Sequence, residues 1–398
     1  MRKEIAAMNE TTPVTAIAAD DEFGKAEMPV NELLVIAARR SGKSPIALGR
    51  EFSRLYNAGS MLSMKDFVRH SLWDTERHGE DGAQRFVGSR SVWPISHTVN
   101  DKDWFRVPED KYIMDLLCQA EGIPLPNTVG IIDDSARSYA GTPKIDTAEK
   151  LRDLVLSHPP GALFAKTLGG LIGRGVMVIE EADDTTIKRT GADPVTYEAF
   201  LKEVLSEEPY VLQERLDNHE ALAPYCSGLT TIRFPNLVRG SEIWQPCVAM
   251  KLTTAGNIAC AFWRPGNLCC EIDHATGEVI RIGKSDGLVT EYIEDHPDVP
   301  GLMGLKLPHW DEMKDINERT ARVFGAIPYQ STDLAITPSG PVLVESNYAG
   351  SFDVLQNATG RGLLSDEVKA FFRKNGYDFD NPPKLAKETK KKKFLGLF

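Results

Sequence analysis

The 398-residue sequence has no apolar run near the ~18 residues that a membrane span requires. Its opening residues, MRKEIAAMNETTPV, lack the apolar stretch of a secretory signal. Cationic residues are in deficit: 46 Lys and Arg stand against 57 Asp and Glu, a formal net charge of −11. An acidic surface repels phosphate backbones, which disfavours a protein that coats nucleic acid, and any anionic ligand then needs a local cationic pocket. Cysteine is sparse, and six in so long a chain (Cys118, Cys226, Cys247, Cys260, Cys269, Cys270) do not make a disulfide framework. Vicinal Cys269 and Cys270 read as small packed side chains. None of the eight histidines falls into an HxxxH, HExxH or Cys/His pattern, which excludes a zinc or metalloprotease site. The G-x-S-x-G elbow of many hydrolases is absent too. What is there is ordinary globular composition, 42% hydrophobic and 26% charged. The expectation is a soluble, reduced, cytoplasmic protein of two or three domains at roughly 150 residues each.

Residues 1–28 are polar and aperiodic and read as disordered. From Val30 to about Asp74 apolar residues recur at helical spacing, Leu33, Leu34, Ala37 and Ala38 among them, so residues 29–106 read as a helical region. Asp110 opens a helix whose Ile113, Leu116, Leu117 and Ala120 share one face, and Gly122 ends it. Strands are expected at 128–132, 162–166, 176–180, 210–216, 230–238, 244–252 and 278–282. Helices are expected at 150–156, behind a capping box of Asp146 and Glu149, at 196–205 and at 310–324.

SGKS at 41–44 tempts a P-loop reading, but the motif's first glycine is Ala37 and the surroundings are helical. The segment GGLIGRGV places Gly169, Gly170, Gly173 and Gly175 between two strands. Glycines let a backbone approach a phosphate and turn successive N–H groups toward it. Strand–loop–strand context argues against a dinucleotide fingerprint, which requires strand–loop–helix, and suits a hairpin lid over a nucleotide; an ordinary glycine-turned hairpin reads the same way. Lys166, on the strand feeding the loop, is placed to reach phosphates. In VLQERL (211–216) the backbone can pair with an adenine edge, Glu214 offering its carbonyl and Leu216 its N–H; a plain edge strand with a charged end gives the same pattern.

The segment DLAITPSGPVLVESN reads as a β-hairpin. A turn centred on Ser339 sets Asp333 directly opposite Glu345, and two carboxylates facing each other at ~5 Å repel unless a cation lies between them. Asn347, two residues beyond, shares the face of Glu345. Asp333, Glu345 and Asn347 together offer hard oxygens suited to Mg²⁺. A solvated hairpin face, with Leu343, Glu345 and Asn347 alternating against Val342 and Val344, is the other reading.

Taken in order, EDKYIMDLLCQAEGIPLP, LFAKTLGGLIGRGVMVIE, YVLQERLDNHEAL, TTIRF, LPHWDE and GPVLVESN resemble the ATP-grasp superfamily, and within it the sugar-transfer-associated branch, related to glutamate-ligase-like proteins. The resemblance spans roughly residues 109–350. It implies an α+β ATP-grasp fold: a first subdomain at 107–160, a glycine-loop lid at 161–216, a metal-bearing subdomain at 217–360, and a helix with a basic tail at 361–398. It implies ATP and Mg²⁺ as cofactors. Lys111 and Lys166 then match the two phosphate-binding lysines, and Gln213 to Leu216, with Glu214 between, the adenine hinge. Arg233 and Lys251 fall on the strands that contact the γ-phosphate or acyl phosphate, and Asp333, Glu345 and Asn347 match the metal ligands. Two positions depart from the branch: Thr167 stands where a proline is usual, and AFWRPGNLCCEID replaces a glycine-richer stretch. Pro308, His309, Trp310 and Arg264 are candidates for the acceptor side, a packed turn and a surface arginine being the alternatives.

The implied activity is an ATP-dependent ligase joining a carboxylate to an amine through an acyl phosphate, with small-molecule carboxylate and amine or sugar substrates in glycan or metabolite biosynthesis. Phosphoryl transfer needs positioning and charge neutralisation rather than a protein nucleophile, in keeping with lysines and metal ligands but no triad. A kinase on the same scaffold and a nucleotide-binding module without turnover are the rivals. The tail KLAKETKKKKFLGLF stands apart from the acidic average: its Lys390–Lys393 run and apolar tip fit peripheral contact with an anionic membrane, or a solvated tail.

Overall fold

The computed structural model describes residues 28–56, 59–170, 175–205, 208–254, 266–350 and 352–382. Helices α1 (Val30–Ser41), α2 (Pro45–Tyr56) and α3 (Met64–Arg69) bury Leu33, Ala37, Leu48, Leu55 and Phe67 in one cluster. Gly42 ends α1 in the left-handed conformation at φ 70°, and Ser63 with Asp66 closes a reciprocal capping box on α3. Short helices α4 (Thr75–His78), α5 (Val92–Val99) and α6 (Arg106–Glu109) lead to α7 (Lys111–Ala120), capped by Asp110. The apolar face expected for α7 faces outward: Ile113, Leu116 and Leu117 are exposed. Its buried face carries Lys111, Met114, Asp115 and Cys118. Met114 and Cys118 pack in a core with Ile232 and Phe234 while Lys111 borders a cavity, and the two charged residues hide that face from the hydrophobic pattern.

A first sheet has strand order β2-β1-β7-β3-β4-β5-β6. Its strands are β1 (Thr128–Ile132), β2 (Lys144–Ile145), β3 (Leu163–Thr167), β4 (Met177–Ala182), β5 (Thr186–Arg189), β6 (Val195–Thr196) and β7 (Tyr210–Glu214). Helices α8 (Ala148–Leu156) and α9 (Tyr197–Leu205) cover one face, packing Leu151, Val155 and Phe200 on Leu163, Ala165, Met177 and Leu212. Strand alternation sends Phe164, Lys166, Val178 and Gln213 to the opposite face. The α8 cap is Thr147, whose extended backbone lets its hydroxyl accept from the Lys150 N–H. Asp146 instead pairs with the Lys150 ammonium, so the expected capping box does not form.

The second sheet runs β13-β12-β11-β10-β8-β14-β15, antiparallel throughout, with β9 paired to β8. It is built from β8 (Thr231–Arg239), β9 (Glu242–Trp244), β10 (Val248–Leu252), β11 (Leu268–Ile272), β12 (Val279–Ser285), β13 (Thr290–Ile293), β14 (Tyr329–Thr337) and β15 (Gly340–Asn347). The run 244–252 is thus two strands, broken around Pro246 where a ladder N–H is missing. Helix α10 (Trp310–Val323) covers the face bearing Ile232, Phe234, Met250 and Leu334. Helices α11 (Phe352–Thr359) and α12 (Asp366–Lys374) cover the other, over Leu237, Cys247, Ala249 and Cys269. Cys269 and Cys270 are packed core residues, as read from the sequence. Among the described residues no helix is long and apolar enough to cross a membrane.

The β14–β15 hairpin brings Asp333 opposite Glu345, but by another route than expected. Thr337 pairs with Gly340 across a two-residue turn of Pro338 and Ser339, which sets Leu334 opposite Leu343. The register then shifts, and Val344 is the extra residue of a β-bulge that restores the pairing of Asp333 with Glu345. Leu343 therefore joins the α10 core while Glu345 faces the cavity, and the two do not share a face.

Candidate active site between the two sheets

A cavity of about 410 Å³ lies between the sheets, bounded by Lys111, Lys166, Gly170 and Gln213 on one side and Lys251, Asp333 and Glu345 on the other. Lys111 opens α7 and is 6% exposed. Its Nζ donates to the carbonyls of Gly169 and Gly170 at 3.4 and 3.2 Å, so it holds the entry to the glycine loop. Lys166 reaches from β3 to the second sheet, its Nζ donating to the bulge carbonyl of Val344 at 3.3 Å. Burial, and then the charge of Lys111, pull the Lys166 ammonium down to about 8.

Two loop glycines are required by their surroundings. Gly170 and Gly175 have φ of +83° and +63°, and a Cβ on Gly175 would lie 2.2 Å from the Tyr210 hydroxyl. Gly169 borders the Glu208 carboxylate. Gly173, Arg264 and the tail from residue 383 lie outside the described residues. At the hinge, Gln213 and Glu214 end β7 and Leu216 follows; all three border the cavity. The Leu216 N–H meets no acceptor among the described residues.

On the second sheet Asp333 carries three contacts. Arg233, its neighbour on β8, grips it through Nε and Nη2 at 2.9 and 2.6 Å, and Lys251 on β10 adds Nζ at 3.2 Å. Burial works against this carboxylate, but Arg233 and Lys251 outweigh it and hold the group down to about 2. Asp333 and Glu345 therefore face each other with the first already neutralised by two cations, so their opposition does not by itself call for a metal. Lys251 borders the cavity, whereas Arg233 stands behind Asp333.

For a divalent cation the donors are Glu345, half-buried with no ion pair among the described residues, and Asn347, 8% exposed with a side-chain Nδ2 that lacks any partner. Its amide oxygen beside the Glu345 carboxylate offers hard donors suited to such a cation, whereas the unpartnered Nδ2 calls for an acceptor. Asp333 adjoins them with its oxygens already engaged.

Asp115, which the sequence reading passed over, lies one helical turn beyond Lys111, 6% exposed. Its Oδ2 accepts from the Thr128 hydroxyl at 3.1 Å, and its Oδ1 has no partner. The signal was a carboxylate four residues after Lys111, at the spacing that returns to one helix face. The remaining candidates are structural. Trp310 stacks on Phe234 and donates to the His274 carbonyl, His309 pairs with Glu312, and Lys43 of the rejected P-loop is tied to Glu51 and the Trp73 carbonyl.

No curated protein matches the sequence. Among solved structures, D-alanine–D-alanine ligase from Bacillus anthracis aligns at 12% identity over 68% of this chain and 69% of its own, with a TM-score of 0.37. VanG D-Ala:D-Ser ligase from Enterococcus faecalis aligns at 12% identity over 69% of this chain and 59% of its own, TM-score 0.35. Biotin carboxylase from Campylobacter jejuni aligns at 11% identity over 66% of this chain and 48% of its own, TM-score 0.36. Such low scores carry no weight by themselves. The family model described as sugar-transfer-associated ATP-grasp matches residues 95–371, well over half of the sequence. The chain is a member of the sugar-transfer-associated ATP-grasp family.

Proposed function

We propose that the protein is an ATP-dependent carboxylate–amine ligase acting on small-molecule substrates in glycan or metabolite biosynthesis. The observation that carries the reading is the convergence of Lys111, Lys166 and Lys251 with Asp333 and Glu345 on one cavity. Two buried ammonium groups, Lys111 and Lys166, repel each other at the cavity wall and have carbonyl oxygens for hydrogen-bond partners. A polyphosphate satisfies both. The hinge from Gln213 to Leu216 receives the base, and the loop from Gly169 to Gly175 closes over the phosphates and excludes water.

A substrate carboxylate then attacks the γ-phosphorus, ADP leaves, and an acyl phosphate forms; an amine attacks the acyl carbon and releases phosphate. Lys251 stands at the second-sheet end of the cavity to neutralise charge on the phosphoryl group in flight, with Arg233 fixing Asp333 beside it. Glu345 and Asn347 would hold Mg²⁺, which supplies further neutralisation of the phosphates. The test is incubation with ATP, Mg²⁺ and pooled carboxylates and amines, followed by product mass and phosphate release. Free phosphate with a condensed product is expected, and a product heavier by one phosphate assigns the protein to the kinases instead.

A further inference from the structure

A relay of three polar side chains runs from α7 into the hinge. Asp115 Oδ2 accepts from Thr128 Oγ1 at 3.1 Å, and Thr128 Oγ1 in turn accepts from Gln213 Nε2 at 3.0 Å. Thr128 and Gln213 are cross-strand partners on β1 and β7. The direction of the relay is forced. An ionised carboxylate only accepts, so the one proton of the Thr128 hydroxyl goes to Asp115 and its lone pairs face Gln213. Only the NH₂ half of an amide can meet a lone pair. Nε2 therefore turns toward Thr128, and Oε1, which has no protein partner among the described residues, is left to the cavity that Gln213 borders.

We infer that Asp115 and Thr128 are positioning residues that lock the Gln213 amide with its acceptor oxygen toward the bound base, so that the pocket selects a purine bearing an amino donor, as adenine does, over one bearing a keto acceptor. This rests on the reading of the cavity as a nucleotide site and adds what distinguishes one base from another. A packing role would not call for this carboxylate: its Oδ1 is buried without a partner, and an apolar residue or Asn would fill the same space without that penalty. The charged groups around it are Lys166 on β3 and Lys111 and Asp110 at the start of α7. Burial pushes the Asp115 carboxyl up to about 6 against the pull of Lys166, so at pH 8 it is ionised and accepts only.

The experiment is equilibrium binding of ATP and of ITP to the full chain at pH 8. ITP presents a keto oxygen where ATP presents an amino group. Wild type is expected to prefer ATP. Asp115→Asn, which can present either half of its amide, and the isosteric Thr128→Val both release Gln213, and the ATP preference is expected to fall about tenfold, the worth of one hydrogen bond. Thr128→Ser restores the hydroxyl and the preference that Thr128→Val loses. A purely structural contribution would weaken both nucleotides alike and leave their ratio unmoved. An unchanged ratio in both releasing variants overturns the relay while ATP binding by the wild type leaves the nucleotide site standing. Wild type that binds neither nucleotide overturns both.

Discussion

On the second sheet Asp333 is gripped by Arg233 and Lys251 at 2.6 to 3.2 Å. On the opposite wall Lys111 of α7 and Lys166 of β3 have carbonyl oxygens for hydrogen-bond partners, and Asp115 of α7 keeps one carboxylate oxygen orphaned among the described residues. One wall of the cavity has settled its charges internally and the other has not. Settled charge fixes geometry: the Asp333 group locks β8, β10 and β14 at one depth. Unsettled charge is a standing demand for a ligand, and it costs stability until one arrives.

The contrast breaks most sharply at Asp333. Asp333→Ala strands two buried cations, and thermal or urea unfolding at pH 7 is expected to register a loss of about 3–5 kcal/mol. On the other wall, Lys166→Met should leave the unliganded melting temperature unchanged or higher while ATP affinity, followed by calorimetry, falls about 10- to 100-fold. A melting temperature that drops as far as in the Asp333 variant would erase the distinction. The two carboxylates also part company with pH. Asp333, held down to about 2, contributes stability that is present above its unfolded value of 3.8 and lost as pH falls toward 2. Asp115, pushed up to about 6, contributes stability present below 3.8 and lost as pH rises through 6. Asp115→Asn is accordingly expected to stabilise the unliganded protein by about 2–3 kcal/mol at pH 8 and by little at pH 4, read from melting curves at the two pH values. The smallest effect concerns the helix that covers the first sheet: Thr147→Ala should cost about 1 kcal/mol as the loss of a true cap, and Asp146→Ala no measurable amount as the loss of an exposed pair.

Legibility in the sequence followed the range of the interactions. Strand β1, helix α10 and the lysine before the glycine loop were readable because alternation, helical spacing and turn residues are local signals. The neutralisation of Asp333 was not, since Arg233 lies 100 residues away and Lys251 lies 82 away, and neighbouring strands in a sheet leave no mark of their partnership in local spacing. Strand β11 was missed although all five of its residues are buried. Glu271 interrupts its apolar run, and only Arg281 and Arg361, brought up from β12 and from beyond α11, make that carboxylate acceptable there. Helix α7 misled through its own pattern: the outward Ile113, Leu116 and Leu117 form a more continuous apolar stripe than the buried face, where Lys111 and Asp115 interrupt Met114 and Cys118.

The face of the β14–β15 hairpin tolerates a change of length at Val344. An even-length turn and one extra residue on β15 place Glu345 opposite Asp333 on the cavity side. Deleting Val344 leaves Leu343 opposite Leu334 and brings Glu345 opposite Asp333 in a regular ladder, so the face is kept without the bulge. A related chain can therefore lack the bulge residue, or carry a three-residue turn and no bulge, with the same acidic pair facing the cavity.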